Sequence, residues 1–181
     1  MPAMKTLRYF LLLMAGTLTL HGQEAWRDRM ALPLMGKHNW IVIADPAYPL
    51  PSSTGIEVAA TQLSQTDLLT AVLKALTGAH HVRPVFYTDS ELPFVPEEVA
   101  NGIGSYRAQL ATLLQGGEVS SLPQDQIEAK MESASLRYHV LVLKSTTLLP
   151  YTAVYIELDS GYWNADAERR LRAAMQGGNP K

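Results

Sequence analysis

The residues with the clearest chemical potential lie at the two ends of one apolar segment. Gly36-Lys37-His38 precedes the apolar run that starts at Asn39, and Asp45 ends that run. An imidazole and a carboxylate are suited to proton transfer near neutral pH. The run itself is typical of a strand buried on both faces, and ligands of open α/β sheets gather at the carboxyl ends of such strands. Asp45 is therefore a candidate ligand-binding or catalytic residue.

An extended strand would separate His38 from Asp45 by more than about 20 Å. The two residues would share a site only if the chain bends near Asn39 or if two subunits meet. The alternative is structural: Asp45 caps the turn that follows the strand, and His38, like most lone histidines, has no chemical role.

Two further groups are candidates for binding polar ligands. Lys144 leaves a predicted buried strand, a Thr-rich loop follows, and Tyr151 precedes the last strand. These side chains present hydrogen-bonding groups, unless the segment is a simple Pro-bearing turn with Tyr151 packed on the core. Lys130 lies on an amphipathic helix between Glu128 and Glu132, where the alternative is a solvated face with paired charges.

Composition excludes several classes of function. The 181 residues contain no cysteine, so thiol catalysis, disulfides, Fe–S clusters and cysteine-based zinc sites are excluded. Phosphate-binding Gly-rich loops, Gly-x-Ser-x-Gly and His-Glu-x-x-His are also missing. Adjacent His80 and His81 would point apart on a strand, which disfavours a metal pair. We therefore expect no cofactor and no metal. A net charge of −2 gives no electrostatic support for nucleic-acid binding.

The pattern of apolar residues predicts an α/β protein. Strands are predicted at 39–45, 81–87, 138–143 and 151–159, and helices at 65–77, 103–114, 123–134 and 164–176. Pro84 suggests that its strand lies at a sheet edge or ends early. Alternating strands and helices predict three layers, with a largely parallel central sheet and helices on both faces.

The N-terminal segment has the pattern of a secretory signal peptide. Lys5 and Arg8 precede a 12-residue apolar run, Tyr9–Leu20, which is too short to span a bilayer. We expect residues 1–22 to be removed and residues 23–181 to form one exported domain, periplasmic or extracellular, with no membrane contact after cleavage. The alternative is that the apolar run is a buried N-terminal helix.

Two short motifs resemble those of the D-ribose pyranase and L-fucose mutarotase family. The first is Met35-Gly36-Lys37-His38, the apolar strand, Asp45 and Ala47-Tyr48-Pro49. The second is Leu143-Lys144-Ser-Thr followed by Pro150-Tyr151 before the last strand. The resemblance extends from about Pro33 to Leu158.

The resemblance implies a cofactor-independent isomerase that opens and recloses the hemiacetal of a monosaccharide. It also implies a homo-oligomer with sites between subunits. On this interpretation Asp45 positions or deprotonates a sugar hydroxyl, His38 exchanges the proton, and Tyr151 hydrogen-bonds the sugar. The residues expected to bind substrate are Lys37, Lys130 and Lys144.

Two positions depart from the family pattern. Lys37 stands where the family has a histidine, and Ala153 stands where it has an asparagine. These departures favour an alternative, a non-catalytic exported protein that binds a monosaccharide or acts as a scaffold. A third hypothesis leaves sugars out: an exported α/β domain that acts through protein contacts, with Tyr162-Trp163 as its surface.

Overall fold

Six β-strands form the centre of the structure, a computed structural model that describes residues 25–177. The predicted signal peptide, residues 1–22, lies outside the described residues. The strands are β1 (Trp40–Ala44), β2 (Ile56–Ala60), β3 (Val82–Asp89), β4 (Glu118–Leu122), β5 (Val140–Lys144) and β6 (Val154–Ser160). Their order across the sheet is β2-β5-β1-β6-β3-β4.

The sheet is largely parallel, as the sequence predicts. β5 pairs in parallel with β1 and β2, and β3 pairs in parallel with β4. The exception is β6, which is antiparallel to both of its neighbours, β1 and β3. Every residue of β1 is buried, which explains why its sequence is continuously apolar rather than alternating.

Helices cover both faces of the sheet, so the predicted three layers are confirmed. The helices are α1 (Gln65–Thr77), α2 (Ile103–Leu113), α3 (Gln124–Ser135) and α4 (Ala165–Gln176). α1 and α2 share a hydrophobic core with Ile41 and Ile43, whereas α3 packs on the face that carries Trp40 and Val42. Within residues 25–177, no helix has the length and apolar character needed to cross a bilayer.

Short polar side chains begin two of these helices. The Asp67 backbone N–H donates to Ser64 Oγ at 3.2 Å, and the Ala167 N–H donates to Asn164 Oδ1 at 2.8 Å. Each bond satisfies a backbone donor that has no partner inside the helix. α4 has no buried residue, so its cap and its charge pairs support it rather than core packing.

Three expectations about the strands were wrong. β3 lies inside the sheet and continues to Asp89, although it contains Pro84. Pro84 is tolerated because β4 begins opposite Val85, so β3 has a paired neighbour on only one side at the proline. β2 and β4 were not predicted from the sequence. Both are short edge strands with mixed exposure, so neither has the apolar run or clean alternation that reveals a strand.

The antiparallel β6 places a row of polar side chains beneath α3. Trp40 on β1 pairs with Glu157 on β6, and Tyr87 on β3 pairs with Tyr155. Since side chains alternate along a strand, Tyr155, Glu157 and Asp159 point to the same face. That face is the one covered by α3, because Tyr155 packs in the core that α3 shares with Trp40.

We predict that Gly55→Ala destabilises the protein, because a Cβ on Gly55 would lie 1.9 Å from the backbone oxygen of Ser135. Relieving this clash requires the loop before β2 to move away from the end of α3, at a cost of about 1–3 kcal/mol. Urea denaturation measures the loss. Gly36→Ala is the matched control, since a Cβ there meets nothing within 4 Å. Equal stability of the two variants would contradict the prediction.

Candidate functional site

The predicted site residues fall into two places at opposite ends of β1. His38 and Lys130 line a cleft of about 850 Å³, which we call the amino-end cleft. Asp45 and Tyr151 line a separate cavity of about 510 Å³, the carboxyl-end cavity. Lys37 lies near the cleft and Lys144 near the cavity, each with a partner of its own. A single chain therefore does not bring His38, Asp45 and Tyr151 into one cavity.

The carboxylate of Glu157 organises the amino-end cleft. The Tyr87 hydroxyl donates to Glu157 Oε2 at 2.9 Å. His38 Nδ1 lies 3.7 Å from Oε1, and Lys130 Nζ lies 4.0 Å from Oε2. The Glu157 side chain is 22% exposed, whereas those of His38 and Lys130 are 44% and 48% exposed. A carboxylate, an imidazole, an ammonium and a phenol thus meet where a small ligand has access.

Aromatic rings hold Lys130 over the floor of the cleft. The Trp40 and Tyr87 rings stack with their centroids 5.4 Å apart and an interplanar angle of 22°. Lys130 Nζ lies 5.3 Å from the Tyr87 centroid and 5.9 Å from the Trp40 centroid. A cation at these distances is attracted by the ring faces. Lys130 is nevertheless half exposed, so it lies on an accessible part of α3 with its ammonium close to these rings and to Glu157.

The backbone fixes the position of His38. Its φ of 73° lies in the left-handed region, which few non-glycine residues adopt. Its N–H donates to the Leu158 carbonyl at 2.7 Å, which ties the turn before β1 to β6. The imidazole lies 5.1 Å from the Tyr138 ring. This turn directs the histidine toward Glu157 instead of along the strand axis.

Burial and the hydrogen bond to Glu157 raise the pKa of Tyr87 to about 12, with a smaller effect of the charges of Glu157 and Glu118. The phenol consequently stays protonated at neutral pH and remains a hydrogen-bond donor to the carboxylate. Tyr87 is a positioning residue in this arrangement, since its single proton is already committed to Glu157.

Lys37 is held in a chain of ion pairs next to the cleft. Lys37 Nζ lies 3.2 Å from Asp159 Oδ1, Arg83 pairs with the other Asp159 oxygen, and Arg83 Nη1 lies 2.8 Å from Glu118. Partial burial acts to raise the pKa of Asp159, but hydrogen bonds from the Ser160 backbone, Lys37 and Arg83 lower it overall. Lys37 is thus the partner of an ionised carboxylate.

At the carboxyl-end cavity, Asp45 and Lys144 hydrogen-bond to the backbone of the turn after β1, whereas Tyr151 is exposed. Asp45 Oδ1 accepts the Ala47 N–H at 2.7 Å, so Asp45 caps the turn after β1 and also lines the cavity. Lys144 Nζ donates to the Pro46 carbonyl at 3.2 Å, across the same turn. Tyr151 has a φ of 55° and is 41% exposed. Its ring therefore does not pack in the core, and its hydroxyl is available to a ligand.

A buried acid lies behind the carboxyl-end cavity. Asp89 is 1% exposed, and neither of its carboxylate oxygens has a hydrogen-bond partner among residues 25–177. Burial, and then the charges of Glu91, Glu128 and Asp45, raise its pKa to about 7. No group of three or more acidic or histidine side chains in the described part of the chain is arranged to hold a metal ion.

Sequence reasoning missed Glu157, Tyr87 and Asp89. The alternation along the last strand, with Val154, Ile156 and Leu158 on one face, puts Glu157 on the polar face, and this pattern identifies no partner for it. The sequence carries no signal of this role, because a charged residue between Ile156 and Leu158 is also what a strand with one solvent-exposed face shows. Which partners it has depends on the pairing of β6 with β1 and β3.

No protein-family model matches the sequence, and no curated protein matches it. Similar solved structures include Bacillus subtilis RbsD complexed with D-ribose, at 15% identity and a TM-score of 0.48, covering 74% of this chain and 91% of that one. FucU from Bifidobacterium longum is 18% identical with a TM-score of 0.49, covering 71% and 90%. The fucose mutarotase of Streptococcus pneumoniae in complex with L-fucose is 18% identical with a TM-score of 0.44, covering 71% and 88%.

These structures belong to the ribose pyranase and fucose mutarotase family, whose motifs the sequence around Asp45 and Tyr151 resembles. At TM-scores below 0.5, however, the similarity transfers neither an activity nor a residue role to this chain. The chemistry of the two sites depends on the side chains that line them.

We predict that Asp89→Asn changes how stability depends on pH. The raised pKa of Asp89 means that the folded state holds a proton between about pH 4 and pH 7 that the unfolded state releases. Stability therefore falls as pH rises through this range. The variant has no carboxylate at this position and therefore does not lose this stability. The difference in the free energy of unfolding, variant minus wild type, should rise between pH 4 and pH 8 by about 4 kcal/mol at most.

Urea denaturation at pH 4 and pH 8 tests the Asp89 prediction. Asp28→Asn, at an exposed carboxylate, is the control and should follow the wild type at both pH values. A stability difference between Asp89→Asn and wild type that is the same at pH 4 and pH 8 would contradict the prediction.

Proposed function

We propose that this protein is a cofactor-independent monosaccharide isomerase, a mutarotase or pyranase-like enzyme. It opens and recloses a sugar hemiacetal by acid–base catalysis. The observation that carries the proposal is the Glu157 carboxylate with His38, Lys130 and Tyr87 around it, in a cleft large enough for one sugar ring. The motifs around His38, Asp45 and Tyr151 support it independently.

Ring opening requires one proton to leave the anomeric hydroxyl and one proton to reach the ring oxygen as the carbon–oxygen bond breaks. His38 takes the proton from the anomeric hydroxyl, and the imidazolium so formed returns it to the ring oxygen as the carbon–oxygen bond breaks. Glu157, 3.7 Å from Nδ1, stabilises the imidazolium that forms. Lys130 donates hydrogen bonds to sugar oxygens. Positioned acid–base groups accelerate such steps roughly 10²–10⁴-fold.

The walls of the cleft suit a sugar ring. Trp40 and Tyr138 contribute aromatic surface to its lining, and Gln126, Ser133 and Lys130 contribute polar groups. A monosaccharide has both kinds of surface, with C–H groups on its faces and hydroxyls around its edge. Aromatic surface and a few convergent polar groups are the usual composition of small-molecule sites.

Asp45 and Tyr151 join the site from a second copy of the chain, in a homo-oligomer with sites between subunits. Both lie at the end of β1 opposite to His38, so one chain cannot supply all three groups to a single sugar. Exposed apolar side chains surround the carboxyl-end cavity: Leu148 is 83% exposed and Leu50 79%. Leu136, at the rim of the amino-end cleft, is 81% exposed. Contact between these surfaces would cover apolar area on both copies.

In the assembled site, Asp45 positions or deprotonates a sugar hydroxyl and Tyr151 hydrogen-bonds the ring. Lys144, beside Asp45, is a further binding residue. The exported location predicted from residues 1–22 belongs to the same proposal, with the isomerase acting in the periplasm or outside the cell.

A second candidate function is binding of a monosaccharide without catalysis. Two observations favour it. Lys37, in place of the histidine of the resembled family, is paired with Asp159, and an ammonium group does not offer the imidazole that proton exchange would use. Ala153, in place of the asparagine, is 5% exposed and presents no polar side chain.

We predict that the protein speeds the exchange of sugar anomers or ring forms and that His38→Gln and Glu157→Gln each slow it roughly 100-fold. NMR saturation transfer with D-ribose, L-fucose and D-galactose measures the exchange. His80→Gln, at an exposed histidine outside the cleft, is the matched control and keeps full activity. If folded wild-type protein enhances exchange of none of these sugars and of no other sugar that it binds, it is not an isomerase, and binding without exchange would establish the second candidate.

We predict that two inactive variants complement each other. His38→Gln and Asp45→Asn damage different halves of a shared site, so a mixed oligomer rebuilds intact sites where the two undamaged halves face each other. With random mixing of equal amounts, about a quarter of the sites should be intact. Co-refolded variants, compared with each variant alone in the same exchange assay, give the measurement. Absence of any recovery in an oligomer of mixed composition would rule out a shared site.

A further inference from the structure

The amino-end cleft contains an arginine side chain whose charge is not balanced. Arg137 lines the cleft and is exposed, and its guanidinium forms no ion pair or side-chain hydrogen bond within residues 25–177. The other arginines of this range have partners. Arg27 lies over the Trp26 ring, and the rest bond acidic side chains or backbone carbonyls: Arg29, Arg83, Arg107, Arg169, Arg170 and Arg172.

The acidic group of the cleft does not balance Arg137. Of the residues between 25 and 177 that line the cleft, Glu157 is the one that is acidic. Its oxygens are already approached by Tyr87, His38 and Lys130. Lys130 alone neutralises the formal charge of Glu157, which leaves the guanidinium as an excess positive charge. The cleft is thus locally positive in a chain whose net charge is −2.

The position of Arg137 suits contact with a substituent of a ring bound on the floor. It follows Leu136, the residue that ends α3, and Leu136 lies exposed at the rim. His38 and Glu157 belong to the turn and the strand at the base of the cleft. Arg137 lines the same cleft as His38 and Glu157, so a ring bound at His38 occupies the cavity that Arg137 also borders. A guanidinium binds planar or tetrahedral oxyanions through two parallel hydrogen bonds, which neutral hydroxyls do not match.

We propose that the ligand of the amino-end cleft is a monosaccharide with an anionic substituent, a carboxylate or a phosphate, and that Arg137 binds that substituent. This inference rests on the proposed sugar-binding function and specifies its substrate class. It predicts selectivity for acidic over neutral sugars that falls with ionic strength, since the interaction lies at an exposed rim.

An exposed cation after a helix also interacts favourably with the carbonyl end of that helix. A purely structural role of this kind would affect the stability of the protein but not its choice among ligands. Ligand selectivity is therefore the decisive measurement.

The test compares D-galactose, D-galacturonate and D-galactose 6-phosphate by isothermal titration calorimetry at low and at moderate salt. The wild-type protein should bind at least one acidic sugar about tenfold more tightly than galactose. Arg137→Gln should abolish that preference and leave galactose binding unchanged. Arg137→Lys should keep part of the preference, because lysine retains the positive charge but cannot form the two parallel hydrogen bonds of a guanidinium. Arg169→Gln, at an ion-paired arginine of α4, is the control and keeps the full preference.

The two acidic sugars identify the source of the anion, because tighter binding of galacturonate indicates a sugar acid and tighter binding of the phosphate ester a sugar phosphate. Equal affinity for all three sugars, or a preference that survives Arg137→Gln, overturns the inference even if the protein catalyses anomer exchange. Arginine-dependent preference without exchange of any sugar upholds the inference and refutes the isomerase proposal instead.

Discussion

The amino-end cleft is organised by the requirement of the Glu157 carboxylate for hydrogen-bond and ion-pair partners. Glu157 lies in the middle of the sheet, beneath α3, where an ionised group is costly unless it is hydrogen-bonded or paired with a cation. Tyr87 supplies the hydrogen bond from the neighbouring strand, Lys130 approaches from the helix, and His38 approaches from the turn before β1. Three separate parts of the chain thus converge on one side chain. Loss of the carboxylate would leave a positive charge over two aromatic rings and a histidine without its partner.

The direction of β6 explains why polar groups gather at both ends of β1. In parallel sheets, ligands collect where the strands have their carboxyl ends, and the carboxyl-end cavity with Asp45 follows this rule. β6 runs the opposite way, so its own carboxyl end, with Glu157 and Asp159, lies at the amino end of β1. Because β6 is antiparallel to β1, polar side chains lie at both ends of β1. Contact between the amino-end cleft of one copy and the carboxyl-end cavity of another would bring these side chains together. This contact is the basis of the proposed shared site.

The sequence predicted the parts of the fold that local physics determines. β1 and β5 were recognisable because both are continuously apolar and buried on both faces, and α1 and α4 because Ser64 and Asn164 cap them. The edge strands β2 and β4 were not, since their mixed exposure leaves no periodic signal.

For the site, residue types were easier to predict than their contacts. His38, Lys130, Asp45 and Tyr151 do line cavities, and the separation of His38 from Asp45 follows from strand geometry alone. The role of Glu157 was not predictable, because it depends on the register that pairs it with Trp40 across β1 and β6. Arg137 likewise could not be singled out from the sequence, because the lack of an ion-pair partner among residues 25–177 is a property of the tertiary structure.

The most direct test of the account is to observe where a sugar binds. A two-dimensional ¹H–¹⁵N NMR titration of the labelled protein with D-galactose or D-galacturonate reports this residue by residue. The account predicts that the largest shift changes fall on the backbone amides around His38, Lys130, Tyr138 and Glu157. Shift changes confined to other surfaces, or none at millimolar sugar, would contradict the assignment of the amino-end cleft as the functional site.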